Sequence, residues 1–285
     1  MHRTSTLSQW MRHRREVKQM NTVTMTVKKI PELYLECEHL NPDAFAGKTA
    51  AEIAALPGYQ GKTTSTLGEY FDIAGNAGQT AADTKIVING DCSKMKYIGA
   101  KMTAGEVVVN SSTDMYTGSW MGGGKLLVKG DVHSFCGLAM KGGEFTVEGN
   151  AGNYLGAAYR GDWRGMSGGL LRVRGNAGSD IASFMIGGEM IIDGDVDIHL
   201  GTHMEGGKII VKGNVNRRVG GQMVKGEIYV FGNINVMMPG YKPVGEVDLE
   251  VDGTKATFIE YIGDLGERHP KRKGEPVYGK LYLKK

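Results

Sequence analysis

Apolar residues fall at two fixed places, one residue apart, in a 13-residue unit that recurs seven times along the chain. Position nine reads Val107, Leu126, Phe145, Leu171, Met190, Ile209 and Ile228. Position eleven reads Val109, Val128, Val147, Val173, Ile192, Val211 and Val230. Apolar residues separated by one position are the period-two mark of a strand with one buried face. The β-branched side chains that dominate position eleven suit a pleated surface. Position four is always methionine: Met102, Met121, Met140, Met166, Met185, Met204 and Met223. Position seven is always glycine: Gly105, Gly124, Gly143, Gly169, Gly188, Gly207 and Gly226. The units start at Gly99, Gly118, Gly137, Trp163, Ala182, Gly201 and Gly220, 19 residues apart except for one gap of 26. Glycine at position thirteen, from Gly130 to Gly232, is followed by Asp or Asn, which is turn chemistry.

One strand and one glycine corner per 19 residues cannot build hairpins, because like residues would meet neighbours running in alternate directions. A coil that returns to the same point once per turn satisfies the pattern, with strands stacked in parallel at about 4.8 Å. The pattern therefore predicts an all-β fold, a right-handed, single-stranded parallel β-helix with 19-residue coils, capped by small N- and C-terminal segments. Its methionines form an internal column of core packing. Two outward positions alternate in charge from coil to coil. Position eight reads Glu106, Lys125, Glu144, Leu170, Glu189, Lys208, Glu227, and position twelve reads Asn110, Lys129, Glu148, Arg174, Asp193, Lys212, Phe231. Stacked in register, opposite charges become neighbours worth about 0.2–1 kcal/mol per pair, and a slip brings like charges together.

The array weakens at both ends. An eighth unit is expected from Gly245, with Val247 and Leu249 inside and Lys242 in place of methionine. Lys85–Asp91 and Tyr70–Asn76 read as further rungs upstream, for about nine or ten rungs spanning roughly 45 Å. The expected organisation is a basic N-terminal extension over 1–20, a strand and helix cap over 21–65, the repeat body over 66–252, and a C-terminal cap with a basic tail over 253–285. The cap contains alternating Val23–Val27 and a short helix starting near Thr49 and ending at Pro57-Gly58.

The 285 residues hold 44 glycines and seven prolines without a Gly-X-Y period, which excludes collagen, and 41% are hydrophobic, enough for a continuous core. The net charge of +3 is carried by the two ends of the chain, leaving the middle acidic. No basic patch interleaved with aromatics accompanies those ends, so nucleic acid is not the expected partner. Three scattered cysteines, Cys37, Cys92 and Cys136, form neither a disulfide framework nor a metal knuckle, and point to a reducing, cytoplasmic compartment. No apolar run approaches the roughly 18 residues of a membrane span. Residues 1–20 lack the apolar stretch of a signal peptide.

Signatures of catalytic chemistry are few. Gly47-Lys-Thr49 and Gly61-Lys-Thr63 lack the first glycine of a phosphate-binding loop, since Pro42 and Leu56 stand there. His199 and His203 lie on a coil turn rather than on one helix face, and read as corner histidines. Cys136 has no paired histidine. No calcium-binding nonapeptide occurs, and no acidic cluster stands out on one face.

The seven-residue excess falls within Gly156–Met166. It packs Tyr159, Arg160, Asp162, Trp163 and Arg164 together, residue types that dominate interface hot spots. Two readings stand: a docking knob for a partner, or a local loop whose Trp163 replaces glycine in the inner column.

Repeated Gly-x-x-Met-x-x-Gly-x-φ-x-Val-x-Gly, where φ is apolar, resembles the C subunit of formylmethanofuran dehydrogenase. It is also similar to the C-terminal domain of the glutamate synthase large subunit. Asn41–Pro57, Tyr159–Met166, Tyr261–Arg268 and Leu281–Lys285 all favour the former. The resemblance covers nearly the whole chain except residues 1–20. It implies a non-catalytic scaffold subunit in a hetero-oligomeric archaeal complex of C1 metabolism that reduces CO2 and fixes it as formylmethanofuran in methanogenesis. The partners it implies are molybdo- or tungsto-pterin subunits and an amidohydrolase subunit. They would carry the Mo/W bispterin, the iron–sulfur clusters and the dinuclear zinc, and this chain none of them. No residue is assigned a catalytic, cofactor-binding or metal-binding role. The homologous scaffold subunit of a formyltransferase/hydrolase complex is the alternative. A carbohydrate-acting enzyme built on the same repeat is a third, different class.

Overall fold

The computed structural model describes residues 20–263 and 279–285. Residues 1–19 of the expected extension and 264–278 of the expected C-terminal segment lie outside them.

The chain is all-β, with large sheets and short helices. Strands Thr84–Asn89, Glu106–Val109, Lys125–Val128, Glu144–Val147, Ser167–Val173, Ile186–Ile192, Glu205–Val211 and Lys225–Val230 each pair in parallel with the next. Register follows the repeat: Val107, Leu126, Phe145 and Leu171 are aligned, as are Val109, Val128, Val147 and Val173. Both columns are buried. A second line of parallel bridges runs Cys92, Thr113, Val132, Ala151, Ala177, Val196 and continues in the strands Val196–Leu200, Val215–Val219 and Ile234–Val236.

Two devices hold successive coils in register. The Asp or Asn after the corner glycine accepts a hydrogen bond from the same backbone position one coil on. The Asn150 amide donates to Asp131 Oδ1 (2.7 Å), Asn176 to Asn150 Oδ1 (2.9 Å), Asp195 to Asn176 Oδ1 (2.8 Å) and Asn214 to Asp195 Oδ1 (2.7 Å). Each such bond is worth about 1 kcal/mol net. Part of the outward alternation is realised as ion pairs: Lys125 with Glu144 (3.1 Å), Lys208 with Glu189 (3.3 Å), and Asp193 with both Arg174 (3.0 Å) and Lys212 (3.6 Å).

Both ends differ from the expected rungs. Phe71–Ala74 is not a parallel rung. It pairs antiparallel with Asn21–Val27, and that strand sits in parallel on Thr84–Asn89, with Val23 beside Ile86 and Met25 beside Ile88. At the other end, Gly245 starts no eighth unit. Lys242–Val251 and Thr254–Ile262 form an antiparallel hairpin, and the rung beside Lys225–Val230 is Lys280–Lys284, which aligns Leu281 with Ile228 and Leu283 with Val230. Val247 and Leu249 therefore pack outside the main core. They join a second cluster of Ile191, Ile210, Tyr229, Val251, Phe258 and Tyr282. The hairpin lies across position ten of the lower coils, where Ile191, Ile210 and Tyr229 stand. Its turn is Asp252-Gly253, with φ of 46° and 72°, the backbone of a tight two-residue hairpin. From that turn Asp252 reaches Lys212 (2.6 Å) and Arg172 (3.5 Å).

The expected short helix is present as Ala50–Ala54. It is opened by Thr49, whose Oγ1 accepts from the Glu52 amide (3.4 Å) while Glu52 Oε2 accepts from the Thr49 amide (2.8 Å).

Candidate interaction surface

In the uninterrupted coils the position-four methionine amide donates to the carbonyl three residues back, Met121 to Gly118 at 3.3 Å and Met140 to Gly137 at 3.2 Å. The interrupted coil makes the same bond. Met166 donates to Gly156 at 3.0 Å, with nine residues between them instead of two. Gly156, not Trp163, thus holds position one, and the seven additional residues leave the coil as a loop. Both feet of the loop are fastened to the coil below: Ala158 donates to the Ser183 carbonyl (3.0 Å) and Gly165 to the Phe184 carbonyl (2.7 Å). This corrects the reading in which Trp163 fills the inner column. Trp163 is 50% exposed and Tyr159 49%.

The loop is shaped by its own polar groups. Asp162 Oδ1 accepts from the Trp163 amide (2.8 Å), the Arg164 amide (3.2 Å) and Arg164 Nε (3.4 Å). What desolvation there is opposes the charged form of Asp162, but the Arg164 and Trp163 hydrogen bonds outweigh it and hold the carboxyl below its usual range. The Arg164 guanidinium lies over the Trp163 ring at 5.3 Å, and that of Arg160 over the Phe135 ring at 5.9 Å. Tyr159 meets Trp120 with ring centroids 5.9 Å apart.

Beneath the loop the coils carry a column of stacked rings that the 13-residue unit does not include. Tyr97, Tyr116, Phe135 and Tyr154 stack at centroid distances of 4.8, 5.3 and 4.7 Å. Each has a left-handed backbone, with φ between 61° and 63°. That conformation costs about 1–2 kcal/mol in a residue with a side chain, and ring pairs return about 0.5–1.5 kcal/mol each. Burial raises the phenol of Tyr97 to about 12, and that of Tyr116 also upward. The signal for this column was legible: an aromatic residue recurs every 19 positions from Tyr97 to Tyr154, two before Gly99, Gly118, Gly137 and Gly156, and gives way to Asp180, His199 and Arg218 in the later coils. Position three holds Trp120 above the loop and Phe184 and His203 below it, the last two stacked at 4.7 Å. Between them stand Ala139 and Ala158. Ala158, beside Ala157, lines a cleft of about 460 Å3 that the loop partly covers.

No family model matches the chain. Over 96 residues it is 47% identical to the C subunit of the tungsten-containing formylmethanofuran dehydrogenase 2 of Methanothermobacter thermautotrophicus, a match covering 34% of this chain and 36% of that protein. Over 97 residues it is 41% identical to the C subunit of the molybdenum-containing formylmethanofuran dehydrogenase 1 of Methanosarcina barkeri, covering 34% and 32%. The chain thus spans about a third of the length of the curated relatives it matches. Among solved structures it is similar to a chain in the crystal structure of the formyltransferase/hydrolase complex from Methylorubrum extorquens in complex with methylofuran. That likeness has a TM-score of 0.80 at 23% identity and covers 92% of this chain and 99% of that one. It shows the fold.

The remaining sequence candidates are dispersed. His199 Nδ1 lies 3.2 Å from Asp180 Oδ1, whereas His203 stacks on Phe184, so the two histidines occupy different columns. Cys136 is fully buried, and burial pushes its thiol up to about 12. Among the described residues no group of three or more His, Cys, Asp or Glu converges as metal ligands would, and no helix is long and apolar enough to cross a membrane. The loop surface presents aromatic rings, two guanidinium groups and a cleft.

Proposed function

We propose that this chain is a non-catalytic scaffold subunit of a formylmethanofuran dehydrogenase complex, in which partner subunits reduce CO2 and fix it as formylmethanofuran. The observation that carries this reading is the 41–47% identity, over a third of the chain, to proteins named as the C subunit of that enzyme. The partners would be the molybdo- or tungsto-pterin subunits and the amidohydrolase subunit, which would hold the bispterin metal, the iron–sulfur clusters and the dinuclear zinc. In this reading the complex is cytoplasmic and the coil stack is a right-handed parallel β-helix, supported by the parallel pairing of strands 19 residues apart. Its body lies within residues 66–252 with Lys280–Lys284 added as a rung, 21–65 and the rest of 253–285 serve as caps, and Tyr159, Arg160, Asp162, Trp163 and Arg164 dock a partner. The wider kinship with the glutamate synthase C-terminal domain belongs to the same proposal.

A second reading is favoured by the fold likeness over 92% of the chain to part of a formyltransferase/hydrolase complex. There the scaffold would serve formyl transfer without the redox metal. Purification of the native assembly through a tag on this chain, with native mass spectrometry and metal analysis, tests both. Molybdenum or tungsten together with iron supports the dehydrogenase, and an assembly lacking all three supports the second reading. A chain that elutes alone from native extract refutes both.

A further inference from the structure

Charge inside the roofed cleft is unevenly satisfied. Asp162 is held by Arg164 and two amides of its own loop. Asp180 faces His199 at 3.2 Å. Arg160 is different: among the described residues its guanidinium rests on the Phe135 ring at 5.9 Å and forms no ion pair with a carboxylate. Among the described residues Arg160 is thus the charged side chain of the cleft that no ion pair or side-chain hydrogen bond engages, and it is positive. It sits against an aromatic wall, where a planar guanidinium keeps its hydrogen-bonding fork open for a carboxylate.

The other walls mix apolar rings with the polar groups of Asp162, Asp180, Ser183, Thr202 and His203. Tyr154, Tyr159, Trp163 and Phe184 surround a floor of Ala157 and Ala158. A cleft of about 460 Å3 lies within the roughly 300–1,000 Å3 range of ligand sites. Its rim argues for a macromolecule. Tyr159 and Trp163 are half exposed, and Tyr159 runs on into Trp120, so the contact surface continues past the mouth of the cleft. A small ligand would leave that rim bare to water, whereas a protein surface would cover it.

We infer that the cleft under the loop receives a segment of a partner protein that inserts an apolar side chain against the alanine floor and pairs an adjacent carboxylate with Arg160. This rests on the reading of the chain as a scaffold subunit and adds the chemistry of what docks there. In this arrangement the rings supply buried contact area at low conformational cost, and Arg160 fixes register by accepting only an acidic neighbour. The loop's anchorage at both feet pre-organises the cleft, so little order is lost on docking.

The test uses the native complex carrying Arg160→Lys in this chain, treated with a water-soluble carbodiimide. That reagent joins an amine only to a carboxylate already in contact with it, and peptide mass spectrometry locates the link. An amide between the introduced amine and an Asp, Glu or C-terminus of another subunit is expected. Arg160→Glu is expected to raise the dissociation constant of the complex by about tenfold or more, most at low salt, with Arg160→Gln giving a smaller rise. A link confined to Asp162 or Asp180 overturns the inference, as does a link to a non-peptide carboxylate or an unchanged dissociation constant in Arg160→Glu. Those outcomes leave the scaffold reading standing. An unsubstituted chain found without any partner in the same extract overturns both.

Discussion

The terminal methyl of Met121 lies 2.7 Å from the place a β-carbon on Gly143 would occupy. The relationship repeats along the stack. Met102 meets Gly124 in this way, Met140 meets Gly169, and Met185 meets Gly207. The methionine and glycine of the repeat are therefore one feature: each thioether reaches one coil onward and closes over a bare α-carbon.

Gly143 has two reasons to be glycine, a φ of 83° and the crowding of a β-carbon at 2.7 Å by the Gly123 and Gly124 backbone as well as the Met121 methyl, whereas Gly161 in the loop has the same φ of 83° and nothing within 4 Å. Gly161→Ala should cost about 1–2 kcal/mol, from backbone alone. Gly143→Ala should cost at least about 2 kcal/mol more, as in other overpacked cores. Denaturant melts of the two variants separate the terms, and equal costs would disprove the steric one.

Cys37, Cys92 and Cys136 are buried, and burial raises all three thiols, Cys92 to about 11 and Cys136 to about 12. The thiolate is the reactive form. Iodoacetamide at pH 8 should leave all three unmodified in the folded protein and label them in guanidinium. Rapid labelling of the native chain would contradict this burial.

Asp252 ties the hairpin to the stack through Lys212 and Arg172. The Lys212 hydrogen bond outweighs burial and lowers its carboxyl pKa. A carboxyl lowered in the folded state stabilises above its unfolded value, near 3.9, and this contribution fades as pH falls through the folded value. Asp252→Asn should therefore lower stability by about 0.5–1.5 kcal/mol at pH 7, with the gap to the unsubstituted chain closing below about pH 4. A gap that stays constant with pH would remove the electrostatic explanation.

Trp163→Ala combined with Arg160→Ala truncates two side chains of a loop whose feet are fastened elsewhere, the Trp163 side chain being half exposed. Circular dichroism should be unchanged while partner retention in gel filtration falls. Unaltered assembly would exclude the loop from docking.

The repeat was legible because a buried face leaves a period. Val107 and Val109 announced the register that the structure shows with Leu126 and Val128. The ends were less legible because their strands pair non-locally. Lys280–Lys284 carries Leu281 and Leu283 in the right alternation, but nothing in the local sequence says which strand it will lie beside. Asp252-Gly253 between alternating apolar residues is a hairpin signal. A repeat-based reading passes over it by giving Gly245 a rung. Trp163 was misplaced for a related reason. Counting back from Met166 puts it at position one, whereas counting forward from Gly137 puts Gly156 there, and the backbone bond to Met166 decides for Gly156.

That bond has a further consequence. Because the coil closes across one amide and one carbonyl whether two residues or nine intervene, the crossing from Gly156 to Met166 is a splice point. On the docking reading proposed above, a longer, shorter or differently charged loop exchanged there would alter partner choice while the rungs above and below keep their alignment.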